Sequence, residues 1–497
     1  MGYDRLTPGI IIYTISSHLS LTEPMKTLAR TLTLAACLAA PTYGFADTLA
    51  EIFDLALNND PQLRAANAAY LANRETANIT RAGLLPRVAA TAEYGESDAD
   101  DDSSSFVSFL GDTSSTVGTT DSDQTLFTLS ITQPLFDLPA WYDHKQGRTV
   151  SEQARLQYAA DQQDLILRVS DAYFSVLNAS ENLNSAIAEE QAIARQLEQT
   201  RQRYEVGLLP ITDVHEAQAA YDDAKVNVLV LQGVLKIAFE GLEVLTGQPH
   251  AVLAGLKDDF PVTRPDASRE DWVKSALENN LQLKVSRLGR DAARHNADAR
   301  KYEHLPTLSG SYSYQDLDQD STFSGVSGFG GNVERIPSSR STVESEVQTV
   351  AIHLNVPIFT GGAVSAQRRQ ANQQFIQAEE TANYVMRSTT QLARSAHESV
   401  VTTAATVEAR RQAITSAESA LEATRAGYEV GTRNIVDVLF AERNLYQARR
   451  NYANARYNHI TSGLNLKLAA GQLSPDDLYQ LNAWLDPSLV IAPVVPQ

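Results

Sequence analysis

The sequence predicts a mainly α-helical protein with a β-barrel portion, each chain contributing four strands to a barrel shared between copies. Three observations predict it. Residues 140–209 and 358–474 are long stretches without proline. Two pairs of short segments alternate apolar and polar side chains with period two. Finally, the chain repeats itself: YEVGLLPITDV at 204–214 returns as YEVGTRNIVDV at 428–438, 224 residues later. Further matches keep the same order. Asn59, Gln62 and Leu63 correspond to Asn279, Gln282 and Leu283, Leu85-Pro86 to Leu305-Pro306, and Pro134-Leu135-Phe136 to Pro357-Ile358-Phe359. Such order marks an internal two-fold repeat, with repeat 1 over 47–265, repeat 2 over 266–474 and a tail over 475–497.

The N-terminal segment 1–46 reads as an extension followed by a secretory signal. Met25, Lys26 and Arg30 form a basic start, residues 31–40 are apolar, Pro41 interrupts them, and Gly44-Phe45-Ala46 offers small residues for cleavage. Cleavage after Ala46 leaves Asp47 first. Leu34-Ala35-Ala36-Cys37 also fits a lipobox, so lipidation at Cys37 stands as the alternative. No later window holds about 18 uninterrupted apolar residues, so a membrane span must be made of strands.

Each repeat opens with an Ala-rich helical stretch, 48–83 and 268–303, ended by a Leu-Pro step. Strands follow at 86–97 and 124–137, and at 306–315 and 345–358. In the first pair the even-numbered positions from Val88 to Tyr94 are apolar, and Phe127, Leu129 and Ile131 alternate with Thr128, Ser130 and Thr132. In the second, Val350, Ile352 and Leu354 alternate with Ala351, His353 and Asn355. One apolar and one polar face suit a wall between lipid and water. Residues 97–123, with seven aspartates and no Lys or Arg, and residues 315–344 are expected as polar hairpin loops. Asp316, Asp318 and Asp320 have calcium-loop spacing, but Ser321 and Ser327 stand where Gly and a bidentate Glu are required, so this segment reads as a solvated loop.

Long helical hairpins are expected over 139–247 and 360–470. A single helix over 139–206 would span ~100 Å, too long for an ordinary globule. Ile414, Ala417, Leu421, Thr424 and Tyr428 step by threes and fours along a coiled-coil seam, and Ile193, Leu197, Thr200 and Tyr204 do the same. Gly207 and Gly431 stop the first helix of each hairpin in a left-handed conformation. Pro210 opens the next helix in its first turn, or Asn434 as an N-cap, and Asp213 and Asp437 complement that helix's dipole. Four strands cannot close a barrel, so copies must pool them.

Composition narrows the function. Acids outnumber bases 60 to 41, giving a net charge of −19, which speaks against nucleic acid and fits either solubility or an aqueous passage that prefers cations. The one cysteine and nine scattered histidines form no metal or nucleophile motif. No enzyme activity, catalytic residue, metal or cofactor is implied.

The motifs carry a resemblance. Asn-Asn-Asp-Pro-Gln-Leu (58–63), Leu-Leu-Pro (84–86), Gln-Pro-Leu-Phe-Asp (133–137), Ala-Tyr-Phe-Ser-Val-Leu-Asn-Ala (172–179), both YEVG turns, Pro-Ile-Phe-Thr-Gly-Gly (357–362) and Ala-Asn-Ala-Arg-Tyr (453–457) resemble the TolC family of trimeric outer-membrane efflux and type I secretion channels. The resemblance spans 47–485. It implies a homotrimer with a twelve-stranded barrel in outer-membrane lipid, continued by an α-helical periplasmic tunnel closed at its tip. By position, it implies a gate of Gln196, Asp213, Tyr428, Arg433 and Asp437. Phe440 stands where a second acidic ring is expected, which implies a more apolar constriction. It implies adaptor-docking turns at Val206, Gly207 and Leu208 and at Val430, Gly431 and Thr432. The implied partners are a periplasmic adaptor (membrane fusion) protein and an ABC or RND inner-membrane transporter, the chain itself being a passive exit duct. The rival is a periplasmic adaptor or structural coiled-coil protein without a pore, which would lack the two strand pairs and carry one hairpin.

Overall fold

A computed structural model describes residues 46–107, 112–329 and 332–493. The expected signal segment, Cys37 included, lies outside the described residues; Ala46 is buried. The chain begins with helices α1 (Leu49–Asn59), α2 (Pro61–Arg74) and α3 (Thr76–Ala82), then strands β1 (Arg87–Val107) and β2 (Asp112–Phe136), then α4 (Leu138–Glu205) and α5 (Ile211–Thr246). A short β3 (Leu253–Leu256) precedes α6 (Arg269–Asn279), α7 (Leu281–Tyr302), β4 (Thr307–Phe329), β5 (Asn332–Asn355), α8 (Ala363–Glu429) and α9 (Ile435–Ala469). The chain closes with α10 (Pro475–Asn482) and β6 (Leu485–Ile491). The opening stretches are therefore divided helices. Asp60 and Asn280 interrupt them, each accepting a hydrogen bond from a backbone N–H three residues on. A residue that caps the next helix cannot continue the previous one.

The four long strands form one antiparallel sheet in the order β1-β2-β4-β5. Its rows alternate in character. Val88, Ile131, Tyr312 and Val350 lie side by side, while the adjacent row is Ala89, Ser130, Ser313 and Thr349 on the opposite face. The strands also run well past their expected ends, which corrects the loop reading of 97–107, 112–123, 315–329 and 332–344; residues 108–111 and 330–331 of those expected loops lie outside the described residues. Glu96, Asp123, Asp320 and Thr342 form a register row, and Asp316, Asp318 and Asp320 sit on one strand face rather than in a loop. Pairing across a sheet satisfies backbone groups whatever the side chains are, so Ser, Thr and Asp are carried along by the ladder. Arg340 pairs with Asp320 at 2.6 Å.

The main core lies where the helix bases meet β3 and β6. Tyr173, Phe174 and Leu177 of α4 pack with Leu242 of α5, Tyr457 and Ile460 of α9 and Leu478 of α10. Tyr173 donates to the Ala254 carbonyl at 2.7 Å, tying the long helix to the small sheet. Arg456 and Tyr457 reach Glu181 across the α4–α9 seam, and Arg456 also donates to the Lys257 carbonyl at 2.7 Å. Burial raises the Glu181 carboxyl above the usual range, against the hydrogen bond from Tyr457 and the Arg456 charge. Mixed charge and close packing here hold the two hairpins side by side at their bases.

Candidate functional site: the paired hairpin tips

Far from that core the hairpins end in two turns. Helix α4 runs 68 residues and α8 runs 67. Each stops at a valine, Val206 or Val430, followed by a glycine with φ of +77°, Gly207 or Gly431. The left-handed conformation costs a side-chain-bearing residue ~1–2 kcal/mol, hence glycine at both. Asn434 caps α9, its side chain accepting from Asp437 N–H at 2.9 Å, with Asp437 reaching back to complete a capping box. Pro210 sits at the N-cap of α5 rather than in its first turn and offers no side-chain cap. Asp213 and Asp437 lie in the first turns of α5 and α9.

A second apolar cluster binds the two tips together. Ile193 and Leu197 of α4, Val214, Ala217 and Ala224 of α5, and Ile435 and Leu439 of α9 are buried in it, and Tyr428 of α8 packs against it. The seam continues up α8 through half-buried Ile414, Ala417 and Thr424 and buried Leu421. Tyr204, the counterpart of Tyr428, is instead exposed. The difference is positional: Tyr428 is covered by the other hairpin, with the Arg203 guanidinium 5.4 Å from its ring centre. Its hydroxyl is buried without a hydrogen-bond partner.

The gate residues expected from sequence fall close together but do not all touch. Arg433 lies 3.8 Å from Asp437 in its own turn. Among the described residues, the Asp213 carboxylate accepts only from the neighbouring Thr212 hydroxyl, at 3.3 Å. Gln196 is half-buried, and its backbone carbonyl accepts from Thr200. Among the described residues, no hydrogen bond or ion pair within the chain joins Gln196 or Asp213 to Tyr428, Arg433 or Asp437. Phe440 is 63% exposed and faces a groove between α5 and α9. Val206, Leu208 and Val430 stand out from the turns, each at least 70% exposed.

Three contributors escape the sequence pattern. Gly427 lets the Arg433 stem lie across α8: a Cβ there would come within 2.8 Å of Arg433 Cγ. Glu442 is 99% buried in the α8–α9 seam, where Arg425 meets one oxygen at 2.5 Å and the other has no partner. Arg203 caps Tyr428 as above. Glu442 carried a usable signal, because it falls on the stripe of Ile435, Val438, Leu439 and Leu445 where an apolar residue is expected.

Known proteins share this architecture. The family described as outer membrane efflux protein matches residues 52–248 and 272–472. The chain is 36% identical to the outer membrane protein TolC of Vibrio cholerae over 444 residues, covering 89% of this chain and 94% of that one. It is 31% identical to the proteases secretion protein PrtF of Dickeya chrysanthemi, covering 89% and 92%. Among solved structures, CusC superposes with a TM-score of 0.71 at 16% identity over 86% of this chain and 92% of that one. The outer membrane protein VceC of Vibrio cholerae gives 0.67 at 19% identity over 85% and 96%. The family match and the relatives do not favour the pore-less adaptor or structural reading. With four long strands, two long helical hairpins and a match that covers both halves, the chain belongs to the outer membrane efflux protein family and is an outer-membrane channel protein of efflux or type I secretion.

Proposed function

We propose that three copies of this chain form a passive exit duct: a twelve-stranded barrel in outer-membrane lipid, continued by an α-helical tunnel through the periplasm. The two halves would be products of one duplication, placing two similar hairpin tips in each copy. One observation carries this reading. The sheet β1-β2-β4-β5 is open, and its edge strands of 21 and 24 residues have no further partner strand among the described residues. Long open edges invite pairing with another chain, and four strands are too few to close. The edge β5 of one copy would meet β1 of the next.

The tips form the gate in this reading. Asp213 has no ion-pair partner among the described residues of its own chain, so Arg433 of the next copy is its partner in the closed ring. Arg433 then divides its charge between that contact and Asp437. Gln196 and Tyr428 flank the contact, and Phe440 narrows the opening with an apolar ring below the Asp437 carboxylates. A periplasmic adaptor protein docks on the turns Val206-Gly207-Leu208 and Val430-Gly431-Thr432. Their exposed Val and Leu side chains supply the apolar anchor that such a contact needs. An inner-membrane transporter of ABC or RND type supplies the energy. Adaptor binding shifts a closed–open equilibrium by contacting the open form more favourably.

Planar-bilayer conductance of the purified protein tests this, with the double variant Asp213→Ala/Arg433→Ala beside the unaltered chain. A small cation-selective conductance that rises in the variant is expected. An unchanged conductance would remove these two residues from the latch and move the constriction to Phe440. A well-folded oligomer without conductance would end the duct reading.

A further inference from the structure

We infer that the groove between α5 and α9 near the tips is a binding site for lipophilic cations, recognised by the Phe440 ring and a surrounding set of carboxylates. This rests on the duct reading for its meaning, since such a site on the gate would be an early contact for exported cationic amphiphiles. The groove itself is a property of one chain.

The groove is open to solvent and has a volume of about 660 Å³, within the ~300–1,000 Å³ range of small-molecule sites. Its apolar surface is large and uncovered: Phe440 is 63% exposed and Val226 is 57% exposed. Around it stand Glu216, Asp222 and Asp223, with Arg443 as the single cation. Arg443 reaches Asp223 at 3.4 Å, and both side chains are more than half exposed. Asp222 accepts from the Gln218 amide at 3.0 Å, which satisfies an oxygen without neutralising the charge. Three carboxylates against one guanidinium leave the groove negative.

These features select one ligand chemistry. A hydrated inorganic cation gains nothing from Phe440 and Val226, which it cannot desolvate against. A neutral apolar compound gains nothing from the acids, and an anion is repelled by them. A cation whose charge is carried inside an apolar body gains from both, because it buries apolar area, faces an aromatic ring and keeps its charge beside carboxylates. The composition also explains why neither half of the sequence announces the site. Glu216 and Phe440 lie twelve residues after Tyr204 and Tyr428 respectively. Only the folded chain sets the acid of one copy beside the aromatic ring of the other.

The test is titration calorimetry of the purified full chain in detergent. The probe is tetraphenylphosphonium, with tetraethylammonium as an equally charged, less apolar control. Tetraphenylphosphonium is expected to bind at least about tenfold more tightly. Phe440→Leu, which keeps apolar volume but removes the ring, should weaken it about threefold or more. Asp222→Asn/Asp223→Asn should weaken it similarly and flatten its dependence on salt. Equal affinity for the two cations, or tetraphenylphosphonium binding indifferent to Phe440→Leu, would overturn the site. Bilayer recordings separate the two readings. A conducting protein that does not bind the probe loses the groove and keeps the duct; a Phe440-dependent binder that never conducts keeps the groove and loses the duct.

Discussion

At Gly207 and Gly431 the backbone takes the same left-handed turn, with φ of +77° in both, yet the two tips are held by different chemistry. The first is apolar. Leu208, Leu209 and Pro210 fill the turn, and no side chain caps α5. The second is polar. Thr432 Oγ1 donates to the Gly427 carbonyl at 3.0 Å, Asn434 caps α9, and Arg433 reaches Asp437. One turn further into the hairpins the contrast recurs. Arg425 meets the buried carboxylate of Glu442, while Arg201, at the matching place, makes a long 3.4 Å bond to the neutral amide of Gln218. At the bases of the halves it reverses: Asp60 is ion-paired to Arg168 at 2.8 Å, and its counterpart Asn280 is neutral. Equivalent backbone positions thus need a hydrogen-bond acceptor or a polar contact, and either a charged or a neutral side chain serves.

The largest expected break of this asymmetry is Arg425→Ala. It leaves the buried Glu442 carboxylate uncompensated and should cost about 3 kcal/mol, the low end for breaking a buried pair because Arg425 is itself half-exposed. Arg201→Ala should cost under ~1 kcal/mol. Hydrogen exchange of the α5 and α9 amides near the tips measures both. Recovery of protection in Arg425→Met/Glu442→Leu would show that the uncompensated charge, rather than lost packing, is responsible. Gly207→Ala and Gly431→Ala should each loosen their tip by ~1–2 kcal/mol, because the backbone requirement is shared; unequal losses in the same exchange experiment would contradict the equivalence of the turns. Asn434→Ala should cost ~1 kcal/mol through the lost cap, against a near-neutral Pro210→Ala, a difference that limited proteolysis at the two turns reads directly.

The smallest effect sits at the hairpin bases and is spread over pH. Burial raises the Asp60 carboxyl, but the Arg168 hydrogen bond, the Leu63 N–H and the Arg168 charge outweigh it and hold the group below the usual carboxylate range. A depressed acid contributes stability that is present above its unfolded value, near pH 4, and is lost as pH falls through the folded value. Asp60→Asn keeps a cap of the kind Asn280 provides and should flatten the acid limb of a melting-temperature profile. An unchanged slope would remove Asp60 as its source.

Much of the fold was legible because its signals are local. A long run without proline on a three-four stripe makes a helix, Gly after the last turn stops it, and Asn or Asp starts the next. Alternation at Val88 or Val350 marks a strand face within a few residues. The Asn434 cap and the paired glycines follow from the same short-range rules. The polar strand ends were not legible: Ser103, Asp121 or Ser341 look like loop residues, and only hydrogen bonding across the sheet makes them strand.

What the sequence by itself determined about this protein is therefore its long helices, the apolar parts of its four long strands, their order and the left-handed glycine in both turns, because those depend on neighbours within one or two helical turns. The tertiary structure alone decided the long-range meetings. It placed Arg203 over Tyr428, covered Tyr428 but not Tyr204, buried Glu442 against Arg425, and set Glu216 and Phe440 along one groove. Such contacts join residues separated by up to 225 positions, and their energies depend on burial and on which side chain lies opposite. No local pattern carries that information; packing of the two hairpins against each other supplies it.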